Sequence, residues 1–177
     1  MAGFCVPIFV AKSKWLFNEP MWEGYQTIWL PSPIPRSDIM VEKELDRLER
    51  LLGRYPEATL VGHSLGGWWA SNIALRPQIQ LHKLVLWTPL CHEQDYPIFN
   101  VTPRYHPCNQ PAPDHAIGPD RVLVLGAKDD LIVPAMSHAH KLVIHFAGQA
   151  YHLLGGHFYQ RNHQSALNYM KNWIELV

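Results

Sequence analysis

The stretch "LVGHSLGGWW", residues 60–69, sets Gly62, Ser64, Gly66 and Gly67 between two apolar runs. Small residues around a serine suit a sharp strand-to-helix turn, in which the serine takes a strained backbone conformation and side chains two positions to either side would clash. Such a turn pushes a hydroxyl out of the fold. A glycine-rich turn closing a βα unit without chemistry reads the same locally, so the remainder of the chain decides what Ser64 does.

Outward from this turn, short apolar runs alternate with longer amphipathic ones, the pattern of parallel strands buried on both faces and joined by crossover helices. The strands are expected at residues 4–10, 25–30, 58–63, 83–88, 121–126 and 149–154. The clearest helix is "SDIMVEKELDRLERLLGRYP": Ser37 or Asp38 caps it, Val41, Leu45, Leu48 and Leu52 form its apolar face, and Gly53 and Pro56 stop it. Its charged residues, Asp46 and Arg50 among them, read as a solvated face. Further helices are expected at 65–76, 134–146 and 160–175. Residues 89–120, rich in proline, histidine and aromatics, carry little periodicity and are expected to form a small lid and substrate wall over the carboxyl ends of the sheet.

A chain of 177 residues, 47% hydrophobic, suffices for one domain with a continuous core. Fifteen basic and 15 acidic residues balance, and no cationic run stands out, which disfavours nucleic acid and anionic membranes as partners. Cys5, Cys91 and Cys108 are odd in number and far apart, which argues against a disulfide framework or zinc knuckle and fits a reducing cytoplasm. The first residues lack the basic lead and cleavage site of a secretory leader. No apolar run approaches the ~20 residues of a spanning helix, so a soluble protein is expected.

A serine that attacks a carbonyl needs a base to take its proton and a carboxylate to hold that base in the right tautomer. In doubly wound sheets such groups sit just past the carboxyl ends of strands. After the fifth strand comes "GAKDDLIVP" and after the sixth "GGHFYQ", so Ser, Asp and His follow one another in chain order, each at a strand end. His157 is set apart by position: His138, His140 and His145 precede the last strand, His152 lies within it and His163 falls in the closing helix. Gly155 and Gly156 give it a loop from which to reach inward. His138 and His140 point to different sides of a helix, which disfavours a metal site. Two adjacent acids could orient His157: counting from Gly126 favours Asp129, and counting back from Val133 and Pro134 favours Asp130.

With "LVGHSLGG", "LPSPIPRSD", "GAKDDLIVP" and "GGHF" identified, most of the chain resembles the small serine hydrolases typified by retinoblastoma-binding protein nine, compact members of the α/β-hydrolase superfamily. The resemblance implies an α/β-hydrolase fold, a three-layer sandwich around a mainly parallel six-stranded sheet without a large cap domain. It also implies that the second acid of the DD loop, Asp130, completes a triad with Ser64 and His157. One oxyanion-hole donor is then the backbone N–H of Leu65. The chain departs from the pattern after its first strand, where "AKSKWLFNEP" has no glycine, and the second donor is assigned to Lys12 or Ser13.

The activity expected is hydrolysis of a small ester, thioester or related acyl substrate through an acyl-enzyme on Ser64, with no cofactor called for. Trp87, Tyr96, Phe99 and Tyr105 are candidates for walls of an apolar pocket, Trp87 more readily as core. Of Trp68 and Trp69, one is expected in the core and the other at the site. A different reading of the same resemblance is a hydrolase-like module that binds a protein partner and catalyses weakly or not at all.

Overall fold

In the computed structural model six strands form one sheet in the order β2-β1-β3-β4-β5-β6: β1 (Val6–Val10), β2 (Ile28–Leu30), β3 (Ala58–His63), β4 (Lys83–Trp87), β5 (Val122–Ala127) and β6 (Gln149–Leu153). Every neighbouring pair runs parallel. The described residues are 6–10 (backbone only), 25, 27–56, 58–91, 99–112, 117, 120–135, 137–159 and 162–176.

The central strands β3, β4 and β5 are buried along their whole length, which explains why they read as unbroken apolar runs. Side chains alternate between two cores. Leu60, Leu84, Leu86, Val122 and Val124 face a layer built by α1 (Asp38–Leu52), α2 (Leu65–Ala74) and α3 (Ala139–Phe146). Val61, Val85, Trp87, Leu123 and Leu125 face α4 (His163–Glu175) through Leu167, Met170 and Trp173. Among the described residues the architecture is therefore helix, sheet, helix. The edge strand β2 is shorter than expected, three residues in place of six, since it pairs with β1 alone.

Helix α1 forms where the periodicity places it. Ser37 accepts a hydrogen bond from the Met40 amide at 3.2 Å, and Val41, Leu45, Leu48 and Leu52 are its buried residues. Part of its charged face is not merely solvated. The Asp38 carboxylate accepts from the Thr102 amide at 2.8 Å and the Thr102 hydroxyl at 2.9 Å, and Glu42 accepts from the Tyr105 hydroxyl at 2.6 Å and pairs with Arg76. These bonds latch the irregular segment to the helix. The described part of that segment holds two 3₁₀ turns, Pro103–Tyr105 and Pro107–Asn109. Phe99 and Tyr105, expected as pocket walls, are buried in the larger core, and Phe99 meets Trp68 edge to face at 5.6 Å. Tyr96 lies outside the described residues.

Helix α2 is buried from Gly66 to Ala74. Trp68 and Trp69 are both fully buried, which corrects the expectation that one of them lines a site: the rings meet at 90° with centroids 4.9 Å apart, and the Trp69 indole N–H donates to the Pro33 carbonyl at 2.9 Å. A helix enclosed on every side has no solvent-facing stripe, so successive tryptophans both find core. The third helix starts at Ala139, not Pro134; Ala135, Ser137 and His138 before it lie in turns. No helix among the described residues is long and apolar enough to cross a membrane.

Lys83 is a charged residue within a buried strand. Its position in β4 puts it on the α4 face, where its ammonium donates to the carbonyls of Trp173 (2.8 Å), Ile174 (3.0 Å) and Leu176. Its three N–H donors match three carbonyls that the end of a helix leaves without intrahelical partners. The positive charge also sits at the negative end of the α4 dipole. Lys83→Met keeps the apolar stem and removes the cap. We expect a loss of about 2 kcal/mol, seen as a Tm lower by roughly 4–8 °C in thermal denaturation followed by circular dichroism.

Candidate active site

Ser64 joins β3 to α2 with φ 53° and ψ −118°, a positive φ that costs a residue with a side chain on the order of 1–3 kcal/mol. The surrounding hydrogen bonds enforce it. The Ser64 amide donates to the Trp87 carbonyl at 2.9 Å, and the Ser64 carbonyl accepts from the amides of Gly67 (2.9 Å), Leu90 (3.1 Å) and Trp68 (3.3 Å). Two glycines make the turn sterically possible. A Cβ on Gly62 would sit 2.5 Å from the Gly66 carbonyl oxygen, and one on Gly67 would sit 2.6 Å from Cβ of Pro89. Ser64 and Leu65 remain partly exposed between buried neighbours. Leu65 is the first residue of α2, where a backbone N–H has no acceptor within the helix.

The two aspartates after β5 have different partners. Asp130 is buried; its Oδ2 lies 2.8 Å from Nδ1 of His157, and its Oδ1 accepts from the amides of Ile132 (2.8 Å) and Val133 (2.7 Å). A carboxylate held by two amides keeps one oxygen aimed at the imidazole. That oxygen requires the proton on Nδ1 and leaves Nε2 as the acceptor. Asp129 is exposed, and its Oδ1 accepts from the amides of Gly155 (2.8 Å) and Gly156 (2.9 Å). Asp129 thus clasps the loop that carries His157, and Asp130 contacts the ring. The local counts left this division open because both acids are used.

His157 is buried, and its carbonyl accepts from the Thr88 hydroxyl at 3.3 Å and from Nε2–H of His63 at 3.4 Å. His63 immediately precedes Ser64, and its ring centroid lies 5.1 Å from that of His157. The histidine loop is thereby tied to the ends of both β3 and β4. Thr88 has φ 39°, a strained value for a β-branched residue, and its amide donates to the Leu125 carbonyl at 2.8 Å. The sequence does not mark His63, Thr88 or Asp129 as positioning groups. In the sequence Asp129 stands only as an alternative to Asp130 beside the imidazole, and the sole signal for the others is a polar residue at a strand end. Trp87 packs on the opposite core with Tyr159, ring centroids 5.2 Å apart, and is not a pocket wall. Lys12 and Ser13 lie outside the described residues.

Burial, and secondarily the neighbouring His157, pushes His63 down to about 3, so it is neutral at neutral pH. An unfolded histidine titrates near 6.5. Between those values the unfolded chain binds the extra proton, so the contribution of a neutral His63 is complete above about pH 6.5 and declines as pH falls toward 3. We expect urea unfolding to show that lowering pH from 7 to 5 destabilises the native protein by about 2 kcal/mol more than a His63→Gln variant.

No family model and no curated protein matches the chain by sequence. Among solved structures it is similar to the ydeN gene product of B. subtilis (22% identity, TM-score 0.66, covering 96% of this chain and 98% of that one). It is also similar to a serine hydrolase involved in carbazole degradation (15%, TM-score 0.70, 99% and 93%). An alpha/beta hydrolase enzyme from a Medee basin deep-sea metagenome library matches at 15% identity with TM-score 0.66, covering 98% and 84%. At these identities the likeness extends to the fold, not to the narrower group typified by retinoblastoma-binding protein nine. The chain has the α/β-hydrolase fold.

Proposed function

We propose that this α/β-hydrolase-fold chain is a serine hydrolase that cleaves a small ester, thioester or related acyl substrate. The observation that carries the reading is the buried His157–Asp130 pair, Nδ1 to Oδ2 at 2.8 Å, with the His157 loop tied through His63 to the strained turn at Ser64. Two of the similar structures are described as hydrolases, one of them a serine hydrolase.

In this reading the Ser64 hydroxyl attacks the substrate carbonyl as Nε2 of His157 takes its proton. The imidazolium that forms is stabilised by Asp130 and returns the proton to the leaving group. Water then enters by the same base and releases the acyl group. The Leu65 amide supplies one hydrogen bond to the developing oxyanion, and Lys12 is proposed as the second donor. Leu131 and Ile132 directly follow Asp130, and Leu154 precedes Gly155; all three are exposed apolar side chains on the loops that carry the acid and the base. They favour a substrate with an apolar acyl part.

Fluorophosphonate labelling read by intact mass tests the nucleophile. We expect the native protein to gain one adduct and Ser64→Ala and His157→Ala to gain none; an unlabelled native protein would overturn the hydrolase reading in favour of a binding module. Asp130→Asn leaves the carboxylate's shape but removes its hold on the tautomer. Ester turnover should fall by roughly a thousandfold or more in that variant. Asp129→Asn, which loosens the loop without touching the ring, should lose far less.

A further inference from the structure

Cys91 and Cys108, 17 positions apart in a chain whose cysteine spacing argues against a disulfide framework, meet in the fold: their sulfurs lie 3.2 Å apart as thiols. Cys91 is buried just beyond β4. Its amide donates to Nδ1 of the buried His138 at 3.0 Å, and its sulfur lies 3.7 Å from the His138 carbonyl oxygen. Cys108 sits in the second 3₁₀ turn of the irregular segment and is only partly buried. The two cysteines therefore come from segments with separate anchors. On one side Leu90 donates to the Ser64 carbonyl at 3.1 Å; on the other Gln110 donates to Asn72 at 2.6 Å. A disulfide needs the sulfurs about 2.0 Å apart, so the gap to close is roughly 1.2 Å.

We propose that Cys91 and Cys108 are a peroxide-reactive dithiol that closes to a disulfide, covalently tying the irregular segment to the loop that braces the Ser64 turn. Exposure sets the order of events. Cys108 is the thiol that an oxidant can reach, and the adjacent Cys91 thiol, followed by the Lys141 ammonium, holds it below the ordinary cysteine range. The Cys108 thiolate attacks one oxygen of a hydroperoxide and becomes a sulfenic acid, while the other oxygen leaves and takes a proton as water or alcohol. The Cys91 sulfur, already in contact, then attacks the sulfenic sulfur and expels hydroxide, which leaves as a second water with the Cys91 proton. Two thiols are oxidised by two electrons and one peroxide is reduced. The pair shares no residue with the proposed triad.

Reduced full-length protein treated with equimolar hydrogen peroxide should lose about 2 Da, with Cys91 and Cys108 peptides joined in a non-reducing map and separated by dithiothreitol. Cys91→Ala should stop at a sulfenic acid on Cys108 that dimedone traps. In Cys108→Ser, a change at the less buried position, Cys91 should stay open to alkylation after unfolding. The proposal is overturned if native protein retains both thiols once the peroxide is consumed, if Cys108 proceeds to sulfinic acid without the loss of 2 Da, or if the joined peptides include Cys5 instead.

Discussion

The left-handed backbone at Ser64 is the constraint on which the rest depends. A strand must stop and a helix must begin within one residue, and the carbonyl of that residue must serve three amides, those of Gly67, Trp68 and Leu90. The strain of such a conformation persists only where its surroundings over-determine it. Here those surroundings are the neighbouring strand, which accepts the Ser64 amide through Trp87, and a helix enclosed on all sides by core. Gly62 and Gly67 are the cost of bringing backbones this close, since a Cβ at either would overlap the Gly66 carbonyl or the Pro89 ring.

Polar groups around this turn occur in adjacent pairs whose members hold different partners. Adjacent aspartates divide the work: Asp130 takes the imidazole of His157, and Asp129 takes the amides of the loop that delivers it. Adjacent His63 and Ser64 divide it again, because a histidine kept neutral by burial can donate to the His157 carbonyl without adding a second positive charge beside the proposed base. Thr88 repeats the anchorage from β4. One imidazole is thus fixed by groups at the ends of three strands, the kind of rigid support that a precise proton transfer requires.

The irregular segment is fastened by a comparable logic on its own side of the fold. Asp38 and Glu42, on one face of α1, accept from Thr102 and Tyr105, and buried Asn72 accepts from Gln110. Phe99, Val101 and Tyr105 supply apolar burial between those bonds. The described part of a stretch without periodicity is in this way incorporated into the core, and it brings Cys108 against Cys91.

Much of the fold was legible in the order of residues because it rests on local rules. Buried parallel strands announce themselves as apolar runs, α1 as a 3.6-residue pattern behind a serine cap, and the Ser64 turn as small residues crowded about one hydroxyl. Strand ends likewise marked the Asp129–Asp130 loop and His157 as candidates, without choosing between the two acids. The pairings were not legible. Which of two neighbouring acids meets the imidazole depends on a loop closing over some 27 residues, and the meeting of two cysteines depends on where an aperiodic segment finds its hydrogen bonds. Nor does any local pattern say that Trp68 and Trp69 are both enclosed, or that Lys83 will cap a helix about 90 residues further on. Local composition determines what a segment prefers to be; the partners of its polar groups are decided only when distant segments exclude water together, because a buried donor or acceptor must then be satisfied by whatever the packing has brought within reach.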